Sequence, residues 1–207
     1  MGYYSFNNLP VTLNSNCSSC VGASSLNSRF LLELSFSKTN EQTAVVILMN
    51  PSSTAKETVF YDLPLANITD IDSTTYHIID VLINKRIKLD EENHKFDKLV
   101  ILNLFPYYSA NPKDLGAIIS QNKCRTALLL NELIISNTIN QYKNSYFFCG
   151  WGKNPAIKSE INYIKQKFLT ICHANAQNIY CMKFGKKDFE KMPLNTKLLY
   201  IKHGSSW

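Results

Sequence analysis

Four short apolar runs constrain the fold more strongly than any other feature of this sequence. Each is rich in β-branched or aromatic residues, and segments with helical spacing separate them along the chain. Continuous apolar runs of this length are typical of strands that are buried on both faces, as in parallel sheets. We therefore predict a three-layer α/β fold with right-handed crossovers and a mainly parallel central sheet of about four strands. The runs are AVVILMN (44–50), KLVILNLF (98–105), SYFFCGWG (145–152) and NIYCMKF (178–184).

Further segments complete the predicted secondary structure. Helical spacing is clearest over residues 69–88, 122–140 and 156–169, and the charged stretch LDEENHK predicts a reversal of the chain. The segment RFLLELSF (29–36) alternates as a strand does, and KLLYIKH (197–203) predicts a last short strand.

The composition favours one soluble globular domain. Hydrophobic residues make up 45% of the 207 residues and charged residues 18%. No apolar run approaches the ~20 residues of a membrane span, and the N-terminus lacks the features of a signal peptide. We therefore expect a cytoplasmic protein without a membrane partner. Residues 1–28 are rich in Asn and Ser, which predicts an extended or poorly ordered arm before a single domain over 29–207.

The net charge gives a weaker indication of a partner. A formal charge of +6 and a pI near 8.9 favour an acidic partner such as DNA. Lysines cluster late in the sequence, where they form either a solvated basic face or a surface that contacts phosphates. The sequence leaves both interpretations open. These lysines are Lys183, Lys186, Lys187, Lys191, Lys197 and Lys202.

The cysteines and glycines indicate no cofactor. Six cysteines without regular spacing predict reduced thiols, and Cys149 and Cys181 lie in apolar runs that predict core positions. Cys17 and Cys20 form a single CxxC, which supplies only two of the four ligands of a zinc site or an iron–sulfur cluster. The chain also lacks a Gly-rich phosphate loop and a dinucleotide fingerprint, so a nucleotide-binding module is disfavoured. We expect no metal and no cofactor.

Polar motifs follow the predicted strands. Open α/β sheets bind ligands beyond the carboxyl ends of their strands, so we expect these motifs to converge around one cleft. The motifs are Asn50-Pro51-Ser52, Asn103-Leu104-Phe105, Gly150-Trp151-Gly152 and His203-Gly204-Ser205-Ser206.

The order of these motifs resembles that of the uracil-DNA glycosylase superfamily over residues 29–207. In that superfamily the first strand ends in a water-binding motif, the second ends in a base-reading Asn, a Trp-Gly turn follows the third, and the last motif begins with His. The sequence is also similar to an uncharacterised bacterial family, the domain of unknown function sixteen forty-three. Its hallmarks are Asn-Pro-Ser-Thr-Ala, Asn-Leu-Phe and Ala-Trp-Gly, and the first reads NPSSTA (50–55) here, with one extra Ser.

The resemblance implies roles for individual residues. Asn50 would hold a water molecule, Asn103 would hydrogen-bond the edge of an extruded base, and His203 would stabilise charge on a base oxygen. The base pocket would also include Pro51, Ser52 and an aromatic residue, Phe60 or Tyr61. The expected DNA contacts are Lys153, Lys186, Lys187, Lys202, Ser205 and Trp207.

Each of these residues also has an ordinary structural interpretation. Asn50 before Pro51 is typical of an Asx-turn, and Asn103 at a strand end could satisfy neighbouring backbone groups. His203 could be a surface side chain near the terminus, and Trp151 is best explained by core packing.

Three departures from the superfamily pattern predict a degenerate site. Asn50 replaces the Asp of the most active uracil enzymes, Ser52 replaces the Tyr that excludes thymine, and Trp207 alone could replace the Leu wedge. We therefore expect a protein without ordinary uracil excision that binds DNA or a DNA-mimicking glycosylase inhibitor protein. The alternative is an active glycosylase that hydrolyses the N-glycosidic bond of a modified or mismatched base.

Overall fold

The computed structural model describes residues 3–6, 9–19, 27–36, 42–51, 73–107, 117, 125–152, 158–175, 178–181 and 188–192. Within these residues the chain is a mixed α/β structure. The strands are β1 (Tyr3–Phe6), β2 (Leu9–Ser19), β3 (Asn27–Ser35), β4 (Thr43–Leu48), β5 (Ile87–Leu89), β6 (Glu92–His94), β7 (Lys98–Asn103), β8 (Tyr146–Cys149), β9 (Asn178–Cys181) and β10 (Glu190–Lys191). The helices are α1 (Ser73–Ile79), α2 (Arg125–Gln141) and α3 (Lys158–Asn175), and a π-helical segment (Asp80–Asn84) continues α1.

Eight of these strands form one mixed sheet in the order β1-β2-β3-β7-β4-β8-β9-β10. The four apolar runs supply its centre, where β7, β4, β8 and β9 are parallel to one another. Antiparallel strands extend both sides, since β3 pairs with β7 and β10 pairs with β9. The predicted number of about four strands was therefore wrong, because the sheet has eight. The prediction included the four parallel strands at the centre and omitted the antiparallel strands at both edges.

The edge strands differ from the central strands in their sequence. In β3 the buried residues Leu32 and Leu34 alternate with the partly exposed Leu31 and Glu33. This pattern fits a strand with one strongly apolar face, which antiparallel sheets tolerate better than parallel ones. Strands β1 and β2 lie in the segment predicted to be an extended or poorly ordered arm, and β2 pairs antiparallel with β3.

Each face of the central strands has its own apolar cluster, because successive side chains of a strand point to opposite faces. The α2–α3 cluster contains strand residues such as Val45, Ile47 and Leu102, and helix residues Ile135, Ile139, Phe168 and Cys172. The α1 cluster contains Val46, Leu48, Leu99 and Ile101, and the helical residues Ile78, Ile79, Leu82 and Ile83. The helices thus bury their apolar sides against both faces of the sheet.

The predicted helices are present, but their last residues differ from the predicted ones. Residues 69–88 were predicted as one helix, but the helical segment ends at Asn84 and strand β5 begins at Ile87. Strands β5 and β6 form a hairpin whose turn residues, Asp90 and Glu91, have φ values of 47° and 74°. The LDEENHK stretch therefore reverses the chain as predicted, although it does so inside a hairpin.

Helices α2 and α3 lie close to their predicted positions, and α3 extends past residue 169 to Asn175. None of the helices in the described part of the chain is long and apolar enough to cross a bilayer. The last predicted strand, over residues 197–203, lies outside the described residues.

Candidate functional site

The central strands end at a common level. Ile47 of β4 pairs with Leu102 of β7 on one side and with Cys149 of β8 on the other. Cys149 pairs in turn with Cys181 of β9. The carboxyl ends of all four parallel strands therefore form one edge, which is where open α/β sheets bind ligands.

Backbone hydrogen bonds continue past the ends of the strands. Leu104 N donates to Leu48 O and Phe105 N donates to Met49 O, both at 2.9 Å. On the other side of β4, Gly150 N donates to Ile47 O at 2.8 Å. The first residues after β4, β7 and β8 are therefore fixed relative to one another, so side chains at these positions have defined places.

Asn103 is the last residue of β7, and its side chain has an unusual environment. The residue is fully buried, and neither Oδ1 nor Nδ2 has a hydrogen-bond partner among the described residues. Its predicted structural role, to satisfy neighbouring backbone groups, is therefore not seen in this part of the chain. An unsatisfied buried polar group costs roughly 1–3 kcal/mol, and such groups are rare in native proteins. The Asn103 amide is therefore a candidate hydrogen-bonding group for a ligand at this edge.

Asn50 lies at the same edge, two residues after the end of the neighbouring strand β4. Leu48 pairs with Asn103, so Asn50 is two residues further along, roughly 7 Å in the strand direction. Its Nδ2 donates to Pro51 O at 3.0 Å. This contact uses the amide nitrogen. The Asx-turn and the role of Asn50 in orienting a water molecule both stay predictions.

Trp151 and Gly152 follow shortly after β8, which ends at Cys149. Trp151 is buried and packs edge-on against Phe168 of α3, with ring centroids 5.9 Å apart. The prediction that Trp151 is a core residue is confirmed. Gly152 has φ of 68°, a left-handed conformation that glycine adopts at little cost, so the Trp-Gly pair combines an anchor with a sharp turn.

Asn131 of α2 is a residue of this edge that the sequence analysis missed. Its Nδ2 donates to Asn103 O at 2.9 Å and to Leu104 O at 3.1 Å. The side chain is buried, and its Oδ1 has no partner within the described ranges. The signal was present, because Asn131 interrupts the apolar side of α2 four residues before Ile135.

Most other predicted site residues lie outside the described part of the chain. The structure brings Asn50, Pro51 and Asn103 to one edge of the sheet, and the remaining predictions stay untested. Of the late lysines, Lys191 is described, and it forms an exposed ion pair with Asp90 at 3.4 Å. The residues outside the described part are Ser52, Phe60, Tyr61, Lys153, Lys186, Lys187, Lys202, His203, Ser205 and Trp207.

Three cysteines belong to the core. Cys149, Cys172 and Cys181 are buried thiols in the α2–α3 cluster, which confirms the prediction for Cys149 and Cys181. Burial raises the pKa of Cys149 and of Cys172 well above the ordinary thiol value, so these groups stay protonated. In the part of the chain that can be described, no three His, Cys, Asp or Glu side chains are grouped to hold a metal ion. Cys20 lies outside that part.

A second polar cluster lies at the opposite end of β7. Lys98 Nζ is 2.8 Å from Glu33 Oε2 and donates to the Tyr142 hydroxyl at 2.6 Å. The Tyr142 hydroxyl donates to Glu33 Oε1 at 3.0 Å, so the three groups close a ring of contacts. We call this set the Glu33–Lys98–Tyr142 triad. It joins β3, β7 and the chain just after α2.

Comparison with known proteins gives one match. A family model described as "Protein of unknown function (DUF1643)" matches residues 29–194. The match begins within β3, includes Asn50, Asn103 and Asn131, and ends before His203. No curated protein and no solved structure matches the chain. Because the matched region is well over half of the sequence, the chain belongs to the DUF1643 family.

Proposed function

We propose that this chain is a DNA-binding protein with the three-layer architecture of the uracil-DNA glycosylase superfamily and a degenerate active site. It binds an extruded base at the carboxyl edge of the sheet and lacks ordinary uracil excision. The observation that carries the proposal is the buried, unsatisfied amide of Asn103 at this edge.

An asparagine amide is suited to reading a base. It presents a donor and an acceptor side by side, and the Watson–Crick edge of a base offers the complementary pair. A base that bonded Asn103 would also remove the cost of burying an unsatisfied amide. That gain is roughly 1–3 kcal/mol, enough to distinguish a base from an abasic site.

Binding without ordinary excision follows from Asn50. The amide can orient a water molecule, but it cannot accept the water's proton or offset positive charge on the sugar as a carboxylate does. The formal charge of +6 supports attraction to phosphates, which adds affinity independent of sequence and sensitive to salt.

Equilibrium binding to matched oligonucleotides tests the proposal. The probes carry one uracil, one mismatched thymine or one bulky modified pyrimidine, and the reference carries an abasic site. We expect about tenfold tighter binding of at least one base than of the abasic site, and loss of this difference in Asn103→Leu. The salt dependence should be the same in both proteins, because Asn103 contacts no phosphate. Equal binding of all probes, or a base preference that survives in Asn103→Leu, contradicts the proposal.

The placement of Asn50 beside Asn103 keeps one second function open, slow hydrolysis of a modified or mismatched base. A single-turnover assay on the same probes, followed by alkali, measures it directly. Cleavage that disappears in Asn50→Ala would establish a glycosylase. Competition between DNA and a DNA-mimicking glycosylase inhibitor would instead identify the protein partner that the resemblance implies.

A further inference from the structure

The peptide unit that joins Asn103 to Leu104 is held from two sides. Its carbonyl oxygen accepts a hydrogen bond from Asn131 Nδ2 at 2.9 Å, and its N–H donates to Leu48 O at 2.9 Å. The next carbonyl, that of Leu104, accepts a second bond from Asn131 at 3.1 Å. Helix α2 and strand β4 together therefore fix the peptide plane that follows Asn103.

The link from Asn131 to the candidate site runs through the backbone. Alternation along β7 places the Asn103 side chain on the same face as Leu99 and Ile101, which belong to the α1 cluster. Asn131 reaches β7 from the opposite side, where Ile135 and Ile139 of α2 belong to the other cluster. Loss of these bonds would let the end of β7 shift, and the Asn103 side chain would move with its backbone.

Packing alone does not require an amide at position 131. Asn131 is 1% exposed, and its Oδ1 lacks a partner within the described residues, which costs stability. Asn131→Leu would bury no side-chain polar atom, but it would remove the donor that bonds the carbonyl oxygens of Asn103 and Leu104. The amide is therefore needed for these two bonds to the end of β7.

We infer that Asn131 is a positioning residue that holds the end of β7 so that the Asn103 amide is directed at the bound base. This inference rests on the proposed function and goes beyond it by assigning specificity to a residue on α2. Asn131 contacts neither the base nor the DNA.

Side-chain amide resonances of Asn103 give a test that needs no ligand. In the full chain with ¹⁵N-labelled asparagine, Asn131→Leu should shift or broaden the Asn103 pair, which Asn103→Leu identifies by its absence. The control is Ile135→Val, one turn further along the same side of α2, which should leave the pair in place. Unchanged Asn103 resonances in folded Asn131→Leu overturn the inference. If Asn131→Leu does not fold, Asn131→Ala replaces it in the same measurement.

Binding to the uracil and abasic oligonucleotides separates this inference from the proposed function. Asn131→Leu should reduce the preference for the base about tenfold, the effect of losing one well-directed buried hydrogen bond, and should keep the salt dependence. A preference lost in Asn103→Leu but unchanged in Asn131→Leu overturns this inference alone. A wild-type chain without any base preference overturns the proposed function and this inference with it.

Discussion

The two ends of strand β7 differ in whether their buried polar groups have hydrogen-bond partners. At the amino end, Lys98 bonds both Glu33 and Tyr142, and the three side chains satisfy one another. At the carboxyl end, Asn103 is buried with no partner for its amide in the described part of the chain. The same strand therefore carries an interaction that stabilises the fold and a buried amide that costs stability.

The two ends of β7 differ in whether their buried polar groups are satisfied. A satisfied polar network in a low-dielectric setting is rigid and stabilising, whereas an unsatisfied one is costly. Burial alone would lower the pKa of Lys98, but its bonds to Glu33 and Tyr142 outweigh burial and raise that pKa. The amino end thus has a satisfied ionic network that joins β3 and β7, and the carboxyl end has a buried amide without a partner in the described part of the chain.

Removing the cation of the triad should give the largest change in stability. We expect Lys98→Met to lower the free energy of unfolding by about 2–3 kcal/mol, less than the ~3–5 kcal/mol of a fully buried pair. The cause is the Glu33 carboxylate, which would stay partly buried without its cation. Urea denaturation measures the change, and base-dependent DNA binding should be unaffected.

Two controls sharpen this result. Lys85→Met breaks the exposed pair with Asp80 and should cost less than about 1 kcal/mol. The double variant Glu33→Gln with Lys98→Met should recover part of the loss, because no unpaired charge then remains. If Lys98→Met lowers the free energy of unfolding no more than Lys85→Met does, the triad does not stabilise the fold more than an exposed ion pair.

At the carboxyl end of β7 we expect a substitution to stabilise the protein, which is the opposite of the effect at the amino end. Asn103→Leu should raise the free energy of unfolding by about 1–2 kcal/mol, because it replaces two unsatisfied polar atoms with apolar ones of similar volume. Denaturation measured without DNA tests this stabilisation, and the loss of base preference is measured separately. If Asn103→Leu instead destabilises the protein, the comparison between the two ends of β7 fails.

Alkaline pH should weaken the contribution of the triad to stability, by the smallest of the three effects. The pKa of Lys98 is raised above its ordinary value of 10.5, so its stabilising contribution is complete below that pH. The contribution is lost as the pH rises through the folded-state pKa. Burial raises the pKa of Tyr142 above 10.0. Ionisation of this hydroxyl at alkaline pH therefore also lowers the stability of the fold.

Stability measured between pH 9 and 12 checks this linkage. The difference in stability between wild type and Lys98→Met should shrink above about pH 10.5, whereas the difference between wild type and Asn103→Leu should stay constant. A difference for Lys98→Met that does not change with pH would assign its cost to packing rather than to charge.

Sequence reasoning succeeded where the signal was local. The apolar runs gave the four central strands, and Asn50 and Asn103 were placed at the ends of two of them before their pairing was known. It failed where a contact joins distant segments. Glu33, Lys98 and Tyr142 carry no local pattern that links them, and Asn131 was read only as part of an amphipathic helix.

The sequence by itself determined the mixed α/β class, the parallel centre of the sheet and the family to which the chain belongs. These features follow from periodicity and short motifs, which depend on neighbouring residues. Only the tertiary structure decided that β4 and β7 are neighbours, that β1 to β3 extend the sheet, and which buried polar groups have partners. Strand order and hydrogen-bond satisfaction depend on segments up to 109 residues apart, as Glu33 and Tyr142 are. No local pattern in one chain encodes such a distance.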